Sequence, residues 1–188
     1  MKFKKVLAVL LPVSFLLTAA AGYVLLFTSF GYPTIKAGTN GFGIFDFRFS
    51  YTADNVMTIF SHYTGNREND WNNFYTVDFV FAAVSFIFTF LLPLSYYFKS
   101  DKHYLLFRTS AFSSIMLFVF NIIENILILR LLSVTPYFSE GEADIASGIT
   151  ALKWCFAALW IVSTILFITA TIIRCSRRKK VPTRGSKK

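Results

Sequence analysis

Charge is scarce in these 188 residues: only 15% are Asp, Glu, Lys or Arg, against about 25% in ordinary globular chains. Beside 55% apolar and 19% aromatic residues, that deficit excludes an ordinary soluble domain. Cysteine is scarce too. Cys155 and Cys175 have no partner in any loop, which excludes a disulfide framework of the kind that tetraspanins and four-helix junction proteins carry in an outer loop. Histidine occurs twice, His62 in a long loop and His103 in a short link, so the pair cannot hold a haem within the helices. No His/Cys cluster suits zinc, no Cys pair suits thiol redox chemistry, and glycine-rich phosphate loops and a nucleophile elbow are missing. No metal and no cofactor is expected. Asn-x-Ser/Thr is absent, so nothing points to N-glycosylation.

What the chain has is long apolar runs. A membrane-crossing helix needs about 20 mainly apolar residues, and the stretches 6–30, 77–98, 104–132 and 149–175 qualify. They predict an all-α membrane protein, a four-transmembrane-helix bundle with a structured outer loop, residues 31–76, between helices 1 and 2. The transmembrane domain is 1–175 and a basic cytoplasmic tail is 176–188. The start of helix 1, Met1 to Lys5 followed by an apolar run and Ala19-Ala20-Ala21, also fits a cleavable signal peptide. The run continues through Tyr23 to Phe27, beyond a signal core of about 7–15 residues, which favours retention.

Orientation follows from Lys and Arg. Three segments, before helix 1, around the link at 99–103 and after helix 4, hold 14 of the 19 basic residues and one acid, Asp101, a net +13. The opposite side has Lys36, Arg48, Arg67 and Arg130 against Asp46, Asp54, Glu68, Asp70, Glu140, Glu142 and Asp144, a net −3. Both termini are therefore expected in the cytoplasm, with the plasma membrane the expected location. The overall +9 flanks apolar runs and forms no aromatic-interleaved patch, so no nucleic acid is expected. Expected partners are membrane lipids, anionic headgroups for the basic tail, and a second copy of the chain.

Small and polar residues recur at helical spacing: Ser14 and Thr18; Asp78, Ala82, Ser85 and Thr89; Ser110, Ser113, Asn121 and Glu124; Thr150, Lys153, Ala157 and Thr164. In lipid, packing of small residues and interhelical hydrogen bonds mark the buried faces, so these stripes predict one bundle interior. The charged members matter more. One charge at mid-helix costs about 2.5–3.5 kcal/mol on insertion scales. Asp78, Glu124 and Lys153 fall at matching depth near the outer face, predicting an ion cluster in which Lys153 lies between the two carboxylates. Asn121 and Asn125 would add hydrogen bonds beside Glu124. Such a cluster either fixes the helix arrangement, binds a polar ligand or partner, or transfers protons, with Glu124 and Asp78 the catalytic candidates.

In the outer loop, Phe45, Phe47, Phe49 and Tyr51 alternate with polar residues, predicting a half-buried strand or an extended surface segment. Thr52 caps a short helix through Tyr63, with Val56, Ile59 and Phe60 on its apolar face. Trp71, Phe74 and Tyr75 read as an interfacial aromatic belt.

The segments Val77-Asp78-Phe79-Val80-Phe81, Asn121-Ile122-Ile123-Glu124-Asn125 and Thr150-Ala151-Leu152-Lys153-Trp154 resemble an uncharacterised family of small four-helix membrane proteins. Similar proteins carry a Gly-Arg pair and a Tyr before the helix 2 Asp; Gly65-Asn66-Arg67, with one residue inserted, and Tyr75 stand there. The resemblance implies that Asp78, Glu124-Asn125 and Lys153-Trp154 act as one set, with Arg67 and Tyr75 as outer-loop candidates. It implies no activity. Three functions remain open: a non-enzymatic multi-pass protein, a lipid-active enzyme using Glu124 and Asp78, and a proton-coupled transporter subunit.

Overall fold

A computed structural model describes residues 2–98 and 104–179. The link at 99–103 and the tail from 180 onward, both assigned basic topogenic roles above, lie outside the described residues. Every regular element described is helical: α1 (Lys2–Phe27), α2 (Tyr32–Gly38), a 3₁₀ turn (Phe45–Phe47), α3 (Ala53–Ser61), α4 (Arg67–Tyr97), α5 (Tyr104–Val134) and α6 (Glu140–Lys179). Helices α1, α4, α5 and α6 are long and apolar enough to cross a membrane. The protein is an all-α four-helix bundle.

Adjacent long helices run antiparallel, as their cross-contacts reveal. Along α1 and α4, Phe15 meets Phe88 with ring centroids 5.4 Å apart, while Gly22 lies against Phe81. Between α4 and α5, Thr89 Oγ1 and Ser114 Oγ are 2.7 Å apart, and Asn125 Nδ2 donates to Asp78 Oδ2 at 2.6 Å. Between α5 and α6, Ser110 pairs with Thr164 and Glu124 with Thr150. The packing order is α1–α4–α5–α6, with extensive contact at each step and slight contact between α4 and α6. The row does not close: α1 and α6 face each other across a cleft.

At 1.5 Å per residue, the 31 residues of α4 span about 46 Å, well beyond the roughly 30 Å hydrocarbon core of a bilayer. The surplus lies at the end bearing the 31–76 segment, where α4 begins at Arg67 and α6 at Glu140. There the segment folds into a cap with its own core. Ile35, Phe45, Val56, Phe60, Trp71 and Tyr75 pack on Ile128, Leu131, Ala143 and Ala146 from the ends of α5 and α6. Thr52 caps α3 as predicted: its hydroxyl accepts from Asn55 N–H, and Asn55 Oδ1 accepts from Thr52 N–H in return.

Two expectations for this segment are corrected. Residues 45–51 form no strand; the 3₁₀ turn sends Phe45 and Asp46 both inward and leaves Phe47 and Phe49 exposed. Trp71, Phe74 and Tyr75 are fully buried rather than forming a belt. The reason is helical spacing. Because α4 starts ten residues earlier than its apolar run, these three sit one and two turns before Asp78 on the same inward face.

Candidate functional site

The charged residues meet where the cap sits on the bundle. Lys153, between three and four turns into α6, donates from Nζ to Asp46 Oδ1 at 2.6 Å and also contacts Glu124 Oε2. Glu124, from α5, accepts from the Thr150 hydroxyl through its other oxygen, Oε1, at 2.6 Å. Trp154 Nε1 donates to the backbone carbonyl of Asp46 at 3.0 Å, anchoring the 3₁₀ turn on α6. Tyr51 N–H donates to Ser147 Oγ at 2.9 Å, a second tie between cap and α6. Its hydroxyl lies 3.4 Å from Thr150 Oγ1. Burial, opposed in part by the Thr150 contact and reinforced by the charges of Glu124 and Asp46, pushes the Tyr51 phenol above its ordinary value. It therefore stays a neutral hydroxyl.

This corrects the predicted pairing. Lys153 lies between Glu124 and Asp46, not between Glu124 and Asp78. Asp78 instead takes the hydrogen bond from Asn125. The cause is the packing order: α4 barely touches α6, so Asp78 faces α5 while Lys153 reaches across to α5 and up to the cap. The alternation in Phe-Asp-Phe-Arg-Phe points Asp46 outward and hides it among the loop charges. The acid surplus at this end was the available signal.

The other predicted residues divide. Trp154 and Asn125 join the cluster through the bonds above. Asn121 stands one turn deeper on α5 and lines the cleft, its Oδ1 without a hydrogen-bond partner. Tyr75 belongs to the cap core, stacked on Trp71 at 5.9 Å, with its hydroxyl buried and unpartnered. Arg67 stands apart from the cluster: its guanidinium donates to the Phe60 carbonyl at 3.1 Å and so joins α3 to the start of α4.

Beside the cluster, the cleft between α1 and α6 encloses about 440 Å³. Its walls are Gly22 and Leu26 on α1, Phe81 and Phe88 on α4, and Ala157 and Trp160 on α6; Phe47 from the cap closes one end. Asp46, Asp78 and Lys153 line that capped end, and Thr89 lies toward the other. Glu124 has no exposure and does not line the cleft. Among the described residues, no group of acids, His and Cys is placed to hold a metal ion.

No family model, no curated protein and no solved structure matches this chain.

Proposed function

We propose that this multi-pass membrane protein holds an amphipathic molecule in the α1–α6 cleft, with the Asp46–Lys153–Glu124 cluster locking the cap over its polar end. The observation that carries this reading is the cleft itself, apolar along its length and charged at one end. Its volume of about 440 Å³ falls within the roughly 300–1,000 Å³ typical of ligand sites. In lipid no hydrophobic effect presses α1 against α6, so a gap between them is stable when an apolar chain fills it. The cluster supplies the fixed end. A buried ion pair adds little net stability over an apolar substitute but penalises any arrangement that separates it, which suits a staple that fixes where the cap sits.

The lipid-active enzyme reading has less support. It keeps Asp78 at the cleft wall but needs Glu124, which Thr150 and Lys153 enclose away from the cleft. A transporter reading has Ser85, Thr89 and Asn121 beside the cleft, yet Thr89 is bonded to Ser114 and its carbonyl accepts from Trp160 Nε1. Those bonds support a packed seam between helices.

Native mass spectrometry of the protein released from mild detergent tests the proposal. Wild type is expected to retain an amphiphile that Ala157→Phe, which fills the cleft, loses. Leu159→Phe, changed at an exposed position outside the cleft lining, is expected to keep it. Equal retention by both variants would contradict the proposal.

A further inference from the structure

The polar end of the cleft has more acid than base. Asp46 and Asp78 line it with Lys153, and Lys153 is committed to Asp46 and to Glu124, which lies behind the cleft wall. The cap's other cations are engaged elsewhere. Arg67 donates to the Phe60 carbonyl, Arg48 donates to the Phe42 carbonyl, and Lys36 lies 5.9 Å over the Tyr32 ring. Among the residues that line the cleft, the buried atoms without a hydrogen-bond partner are acceptors. Asp46 is only 8% exposed, yet its Oδ2 has no partner. Asp78, 4% exposed, accepts one bond from Asn125 at Oδ2, leaving Oδ1 free for a donor. Asn121, one turn deeper, has an unpartnered Oδ1 as well.

A buried carboxylate without donors or a counter-charge is costly, so the complementary group brings both. An anionic headgroup brings no donor and would set further acceptor oxygens against those of Asp46 and Asp78. A hydroxyl would supply one donor and no charge. A primary ammonium supplies three donors and one positive charge, and the aromatic residues Phe47 and Trp154 also line the cleft. From Asp78 to Thr89 the cleft follows eleven residues of α4, about 16 Å at helical rise, long enough for a fatty chain.

We infer that the ligand is a long-chain primary amine whose ammonium is held by Asp78 and Asp46 while its chain lies between α1 and α6. This inference rests on the cleft reading above and specifies the headgroup that the site selects.

The test is photolabelling of the full-length protein in nanodiscs of zwitterionic lipid. The probes are a diazirine-bearing hexadecylamine and the same chain ended in an alcohol, a carboxylate or a phosphate monoester; peptide mass spectrometry locates the label. The amine is expected to label α1 near Gly22 and α6 near Ala157 at least about tenfold more than any of the other three, as a charge-assisted bond requires. Asp78→Asn should remove most of that preference. The wild-type ranking of the four probes decides the matter without any variant. If alcohol and amine label the cleft equally, or if the carboxylate or phosphate leads, the headgroup assignment is overturned while the cleft survives. If no probe labels wild type above Ala157→Phe, the cleft reading itself fails.

Discussion

Lys153 is held by carboxylates from two different elements, Glu124 of α5 and Asp46 of the cap. Replacing it leaves two buried acids without a cation. Lys153→Met is therefore expected to cost about 3–5 kcal/mol, the range for breaking a buried pair from one side. Because two acids share the ammonium, adding Glu124→Gln should recover only part of the loss, and the triple variant with Asp46→Asn should recover most of it. Thermal unfolding in detergent reads the series; identical melting of all variants would show that the cluster is dispensable for folding. Legibility at this scale was uneven. Asp78, Glu124 and Lys153 stood out because charge inside an apolar run is costly. Asp46 did not, because a strand-like alternation and a 3₁₀ turn share the same residues, and only the turn brings Asp46 inward. Its partner Trp154 was visible only through the resemblance.

Among the elements, the four apolar runs located the four long helices, since length and apolarity are what a bilayer demands. Their ends were less visible. The polar stretch from Arg67 to Thr76 lacks the apolar signature of a span, yet Trp71, Phe74, Tyr75 and Asp78 keep helical spacing and belong to α4. The Ser139–Glu142 contacts at the start of α6 likewise precede its apolar run. Helix α2 lay hidden behind Pro33, which the first turn of a helix tolerates. Its last residue gives a sharp prediction. A Cβ on Gly38 would fall 2.2 Å from the Tyr63 ring, which itself donates to Asp70 Oδ2 at 3.0 Å. Gly38→Ala should therefore lower stability by about 1–3 kcal/mol, the usual cost of overpacking. Tyr63→Ala in the same chain should relieve the clash. Gly22→Ala, which meets only the edge of the Phe81 ring at 3.4 Å, should melt close to wild type. A scanning-calorimetry or thermofluor comparison of the three checks the order.

For the whole molecule, the bundle puts the start of α1 and the end of α6 at one end and the cap at the other. Basic residues dominate the first end and acids the second, so we propose that both termini face the cytoplasm and the cap faces outward. A reporter active only in the cytoplasm should work when fused after residue 188 and fail when inserted at Gly65, the left-handed turn at the cap surface. The reverse pattern would invert the arrangement. Helix count and the packed polar seam were readable because each follows from local spacing. The open side between α1 and α6 was not, since which helices leave a gap depends on packing order and no single residue encodes it. That gap is the central claim. A structure of the protein in lipid nanodiscs, enlarged with a bound antibody fragment, tests it most directly. The account predicts continuous chain-like density between Gly22 and Ala157, ending at Asp78. Helices α1 and α6 packed together along that length, with no density between them, would contradict it.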